Sequence, residues 1–239
     1  MVIDLFGLTE EEVRDRFPAV FQHLIDTVKP ERDNNNRDYR RANWWLFGEN
    51  IPKAREVWFS VPRYIATVET AKHRFFQFLD ASIRPDNMLV AIGVDDARAL
   101  AVLSSRLHIA WSIRAGGWLG VGNVPRYSKT RTFDPFPFPE LTDTQARTLA
   151  DLGERLDAFR KDRLAAHGHL TMTGLYNALE RLRELEAGAP VDPLTPAERD
   201  THDAGQISIL KDLHDRIDRA VLDAYGWSDL AQALVGKPG

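Results

Sequence analysis

The sequence predicts an α+β protein, with a mixed α/β domain followed by an all-α helical domain. Three observations lead there. Between residues 30 and 139, short aromatic and β-branched runs stand beside one stretch with helical spacing. Beyond Pro139 the apolar residues recur at helical spacing. Between the two lies Asp134-Pro135-Phe136-Pro137-Phe138-Pro139, whose alternating prolines forbid helix and favour extended chain. The expected organisation is a helical lead-in over 1–29, a mixed domain over 30–139 and a helical domain over 140–239.

Taken in order, Thr9 and Glu12 have the spacing of a capping box, and Leu8 with Val13 that of a hydrophobic staple. A second helix is expected from about Ala19, with Val20, Phe21, Leu24, Ile25 and Val28 on one face, until Pro30 stops it. Glu31 to Arg41 is polar and reads as irregular chain. Pro62 to Thr70, Arg74 to Leu79 and Met88 to Gly93 read as strands. Asp95 or Asp96 caps a helix carrying Leu100, Leu103, Leu107 and Trp111, which Gly116-Gly117 ends. Three further helical regions follow, over Thr142–Ala166, Thr173–Ala187 and Pro196–Tyr225, with Pro190 to Pro196 as a loop.

Composition narrows the function classes. The 239 residues carry 31 Lys+Arg against 35 Asp+Glu, a net charge of −4, with 44% hydrophobic residues. That is an ordinary globular mix, long enough to bury a sizeable core. The absence of cysteine excludes disulfides, thiolate metal sites and a Cys nucleophile. No run of 18 apolar residues is present, so no membrane partner is expected. Met1 to Leu8 lacks the basic and apolar regions of a secretory signal, which fits a cytoplasmic protein.

The net charge hides a distribution. Residues 1–140 sum to +1 and residues 141–239 to −5. Arg98 to Thr132 holds six basic residues and no acid. Catalytic constellations are missing: there is no Walker loop, no G-x-S-x-G and no H-E-x-x-H. His167, His169, His202 and His214 lack carboxylates at ligand spacing and read as surface or capping residues, so no metal is expected. Gly116, Gly117, Gly120 and Gly122 form a glycine-rich loop, but Pro125 stands where a dinucleotide fingerprint needs glycine.

What remains is a basic, aromatic surface. Trp118, Asn123, Arg126, Tyr127, Lys129 and Arg131 fall in an acid-free loop suited to DNA. Glycine permits close backbone approach, Lys and Arg neutralise phosphates, and Arg and Asn can contact base edges. Arg63, Lys72, His73 and Arg74 form a second basic group beside the strands. On composition alone, a solvated basic loop explains the first group equally well, and a charged sheet edge is the favoured reading of the second. Asn43 to Gly48, with its two tryptophans, reads as core rather than as a platform for a base.

One resemblance joins these groups. Arg40-Arg41-Ala42-Asn43-Trp44-Trp45-Leu46-Phe47-Gly48-Glu49 is followed by Pro62-Arg63-Tyr64-Ile65-Ala66-Thr67 and by Thr70-Ala71-Lys72-His73-Arg74. Then come Leu79-Asp80, Pro85-Asp86-Asn87, Leu103-Ser104-Ser105-Arg106, Arg126-Tyr127-Ser128 and Phe136 to Pro139. In this order they resemble the target-recognition domain of MmeI-like, Type IIL DNA methyltransferases. Thr173 to Asn177 and Ala224 to Trp227 are similar to that family's C-terminal domain.

The resemblance implies a DNA target-recognition part of an adenine-N6 methyltransferase of restriction–modification type, in a bacterial cytoplasm. Its partners would be double-stranded DNA and a catalytic domain encoded upstream or acting in trans. S-adenosyl-L-methionine would bind that other domain. This chain, which starts at Val2-Ile3-Asp4-Leu5-Phe6-Gly7 after Met1, is expected to hold no cofactor and to be inactive alone. Asn123 and Arg126 become the candidate base readers. Lys72, Arg74, Arg114, Lys129 and Arg131 become candidate phosphate contacts, with Arg63 and Tyr127 beside them. Asp134 to Pro137 only superficially resembles the Asn/Asp-Pro-Pro-Tyr/Phe motif of amino-methyltransferases, because Phe136 displaces the second proline. It reads as a structural exit segment. The rival reading is a protein-interaction module that docks through its acidic helical region and has no DNA affinity.

Overall fold

In the computed structural model, which describes residues 3–48, 55–56, 60–119 and 124–238, Thr9 and Glu12 close the expected capping box. The features on Val2, Glu49, Gly120, Val121, Gly122 and Asn123 lie outside the described residues. The chain divides into two compact units, Met1–Ser60 and Val61–Gly239.

The first unit carries α1 (Glu10–Arg16), α2 (Pro18–Thr27), α3 (Lys29–Asp33) and α4 (Asp38–Ala42). Pro18 sits in the first turn of α2, where a missing N–H costs nothing. Pro30 does not simply stop that helix. α2 ends at Thr27 and Pro30 opens α3 by the same logic. Glu31 to Arg41, expected to be irregular, therefore contributes to two short helices. Leu5, Val13 and Trp44 are buried, with the Phe21 and Trp44 rings 5.6 Å apart. Trp45 Nε1 donates to the Leu8 carbonyl at 3.0 Å. The expected core role of the aromatic run holds for Trp44, while Phe47 is exposed.

The second unit is α+β. Its sheet comprises β1 (Arg63–Val68), β2 (Gln77–Asp80) and β3 (Leu89–Ile92), in the order β2-β1-β3 with antiparallel pairing throughout. Tyr64 to Thr67 are all buried, so β1 is covered on both faces. Next come α5 (Ala97–Ser104), capped by Asp96, and α6 (Arg106–Ala115), ended at Gly116. The sequence suggested one helix here. Ser105 breaks it: its hydroxyl donates to Val102 O at 2.6 Å and accepts from His108 N, while Asp218 takes the Arg106 N–H at 2.7 Å.

α7 (Asp143–Ala166), α8 (Met172–Glu186), α9 (Pro196–Ala204), α10 (Ile207–Ala224) and a final α11 (Ala231–Leu234) complete the unit. The expected third helical region is two helices, because Gln206 adopts φ 46° and turns the chain between α9 and α10. α5 lies between two cores. Ala97, Leu100 and Leu103 join the sheet residues Ile65, Phe76, Phe78 and Ile92. Ala101 and Val102 join Leu149, Leu152, Leu156, Leu175, Leu210 and Ile217 of the helices.

At Gly153 an added Cβ would stand 2.1 Å from Ala97 O, so only glycine lets α7 cross α5 this closely. Polar bonds fix the same packing. Asp157 accepts the Phe78 N–H at 2.9 Å, and buried Arg160 spans the Phe76 carbonyl and the Tyr176 hydroxyl. Tyr176 in turn pairs with His214 at 2.9 Å. His214, expected at the surface, is a core residue.

Candidate nucleic-acid interface

The described parts of the acid-free stretch, up to 119 and from 124 onward, are supported structure. From Gly116 the chain enters β4 (Gly117–Leu119), which pairs antiparallel with β5 (Val124–Arg126). A π-helical turn, Lys129–Phe133, follows. Gly116 is the pivot. A Cβ there would lie 2.5 Å from Ser112 O and 2.7 Å from Arg126 O. Trp111 Nε1 donates to Thr132 O at 2.9 Å and ties the π turn to α6.

Arg74 fastens the hairpin to the sheet. Its buried guanidinium donates to Thr67 Oγ1, to the carbonyls of Val68 and Glu69, and to Pro125 O at 3.1 Å. Burial lowers its pKa to about 10, which makes these acceptors necessary. The guanidinium also lies 5.2 Å from the Tyr127 ring centroid. Tyr127 N donates to Glu69 O at 2.8 Å, and its hydroxyl pairs with His108 Nε2 at 3.0 Å. His108 is buried, and burial plus the Arg74 charge push its pKa down to about 3. Burial likewise raises the Tyr127 pKa. Both stay neutral near pH 7, as an apolar anchor requires.

The expected contact residues separate into two kinds. Arg74 and Tyr127 are buried and cannot face a ligand; they hold the hairpin. Arg63 is only partly exposed. It bonds Asp95 and Glu154, packs 3.7 Å over the Phe78 ring, and its pKa is raised chiefly by Glu154. Arg74 and Tyr127 are thereby corrected from contact to support, because burial leaves their partners inside the fold, whereas Arg63 is held by its two carboxylates and stays partly exposed. Arg114, Arg126, Lys129, Arg131 and Lys72 are exposed. Arg126 pairs with Glu69, and Lys72 donates to Asn177 Oδ1 at 2.7 Å. Arg114, Lys129 and Arg131 have no acidic partner among the described residues. Gly116 draws the end of α6, β5 and the π turn together, so all three project from one supported segment. Asn123, the other candidate reader, lies outside the described residues.

Sequence reasoning missed Glu69 and His108. Glu69 is the acid that answers Arg126, fifty-seven positions away. His108 looked like one more scattered histidine. Its only sequence signal is a helical face shared with Trp111 and Ser112. The described residues contain no group of three or more His, Asp or Glu able to hold a metal. No helix among them is long and apolar enough to cross a membrane.

Against this geometry, residues 9–140 match the family model for the MmeI target recognition domain. The chain belongs to that family. The MmeI-family region thus runs from α1 to the exit segment and takes in the hairpin, its Arg74 anchor and the exposed cations. A solved structure of the Type IIL restriction-modification enzyme MmeI in complex with DNA aligns with 97% of this chain, at 17% identity and a TM-score of 0.63. At that identity the likeness shows a shared fold. The chain spans 27% of that protein's length. No curated protein matches the chain.

Proposed function

We propose that this chain is the DNA target-recognition part of a site-specific adenine-N6 methyltransferase of restriction–modification type. It binds duplex DNA and reads its sequence, while a separate domain carries S-adenosyl-L-methionine and the methyl transfer. The observation that carries this reading is the exposed trio Arg114, Lys129 and Arg131, without an acidic partner among the described residues and carried by one supported segment. Membership of the MmeI family and the solved relative's complex with DNA support it.

In this reading Arg114, Lys129, Arg131 and Lys72 contact phosphates and set position. Arg126 contacts base edges, with Asn123 the second reader the sequence offers. Arg74 and Tyr127 keep the reading hairpin rigid, so little entropy is lost on binding. Gly116 and Gly117 do not form a nucleotide-phosphate cradle. Gly116 and Gly117 lead from a helix into a hairpin, whereas a phosphate cradle needs a strand-to-helix turn.

The test is direct. The purified chain is mixed with labelled duplex DNA and, separately, with DNA and labelled S-adenosyl-L-methionine. Salt-sensitive binding without methyl transfer is expected. Methyl transfer by the chain alone contradicts the separate catalytic domain, and absence of any DNA complex contradicts the recognition role.

A further inference from the structure

The indole of Trp118 is 51% exposed on β4, directly across from Pro125. An aromatic ring of that size is ordinarily buried. Its strand is not free to fold it away, because Arg74 grips Pro125 O and Gly116 packs the strand's start against Arg126. Facing it, Ala110, Ile113 and Arg114 line one side of α6 at helical spacing, and Ile113 is 37% exposed. Together the four residues enclose an open cleft of about 500 Å³.

We infer that this cleft receives one unstacked base of the bound DNA, which stacks on Trp118 while Arg114 takes its phosphate. The chemistry of the lining favours a nucleotide. One flat apolar ring and one apolar helix face suit a base, and the one charge among the described lining residues is a guanidinium that meets no acid among the described residues. No acid occurs from Arg98 to Thr132, and Glu69 beside the hairpin is paired with Arg126, so the cleft favours an anion over a cationic peptide. A fixed aromatic ring pays little entropy on stacking and tolerates any base. The inference rests on the DNA-binding reading above.

The experiment needs no knowledge of the recognised sequence. Three duplexes of identical flanking sequence are compared: fully paired, with one extrahelical thymidine, and with an extrahelical abasic residue. The wild-type chain is expected to bind the extrahelical thymidine about tenfold tighter than the other two, because unstacking has been prepaid and a base is available. Trp118→Phe keeps most of that preference. Trp118→Ala and Trp118→Leu bind all three duplexes alike, with circular dichroism and melting unchanged. Equal wild-type binding to all three duplexes overturns the inference while leaving DNA binding intact. So does a preference that survives in Trp118→Leu, or a Trp118→Leu effect confined to self-association of the chain. Failure of the wild type to bind any duplex removes the DNA-binding reading itself.

Discussion

Arg74 Nη2 donates to Pro125 O across fifty-one residues of sequence, and this bond joins the central sheet to the hairpin that presents the cations. Pro125 cannot donate in the hairpin ladder, but its carbonyl remains, and a buried guanidinium answers it. Replacing Arg74 by Met would strip the carbonyls of Val68, Glu69 and Pro125 of a shared donor. A loss of about 2–3 kcal/mol is expected in urea unfolding. DNA affinity should fall with it, although the Arg74 guanidinium is buried. Unchanged stability would show that the hairpin is held in some other way.

Gly116→Ala tests the pivot. Its φ of −73° suits any residue, so the effect is one of contact alone. An added methyl group meets backbone carbonyls of Ser112 and Arg126, which cannot rotate away. Destabilisation of about 1–3 kcal/mol is expected. Amide exchange should quicken in β4 and β5 before it does in β1.

The exposed cations should differ from Arg126. Neutralising Lys129 or Arg131 to Gln should weaken all duplexes evenly and reduce the logarithmic salt slope by about 1 each. Arg126 is partly spent on Glu69, and a surface pair of this kind is worth little, about 0–1 kcal/mol. Glu69→Gln should therefore tighten DNA binding a few-fold by releasing the guanidinium and removing a negative charge. Weaker binding by that variant would mean that Glu69 positions Arg126 for contact.

Acid should unfold this protein early. His108 and His214 are kept neutral by burial, with Arg74 acting on the first and Arg183 and Arg160 on the second. Unfolded, each takes up a proton near its ordinary value of about 6.5. Stability therefore falls as pH drops below that value, by about 1.4 kcal/mol per pH unit for each proton. Asp218 acts in the opposite sense. Burial raises its pKa from 3.8 to about 6, so it stabilises the fold increasingly between pH 6 and 4. Two histidines outweigh one carboxyl. Urea midpoints at pH 7.5, 6 and 5 should decline, and decline more steeply in Asp218→Asn. A flat series would place both histidines in contact with water.

Local features were legible in the sequence because their partners lie three or four residues away. The Thr9–Glu12 box and the end of α6 at Gly116 are of this kind. The break at Ser105 was not legible, since half of it is made by Asp218 on α10. Nor does Gln206 announce its left-handed turn. The candidate site shows the same division. Sequence revealed that a basic, acid-free segment exists, but charge says nothing of burial. Arg74, Arg63 and Arg114 look alike in the chain. Only the fold shows that the first holds carbonyls, the second pairs with two carboxylates and the third meets solvent.

Arg114, Lys129 and Arg131 are expected to bind duplex DNA through its phosphates. The equilibrium affinity of the purified chain for a duplex, titrated from about 50 to 200 mM salt, reads this out. With Arg114, Lys129 and Arg131 on phosphates, the logarithm of affinity should fall with that of salt at a slope of about −3 or steeper. Triple replacement of these residues by Gln should flatten the slope. A salt-independent affinity, or no complex at the lowest salt, would contradict the account.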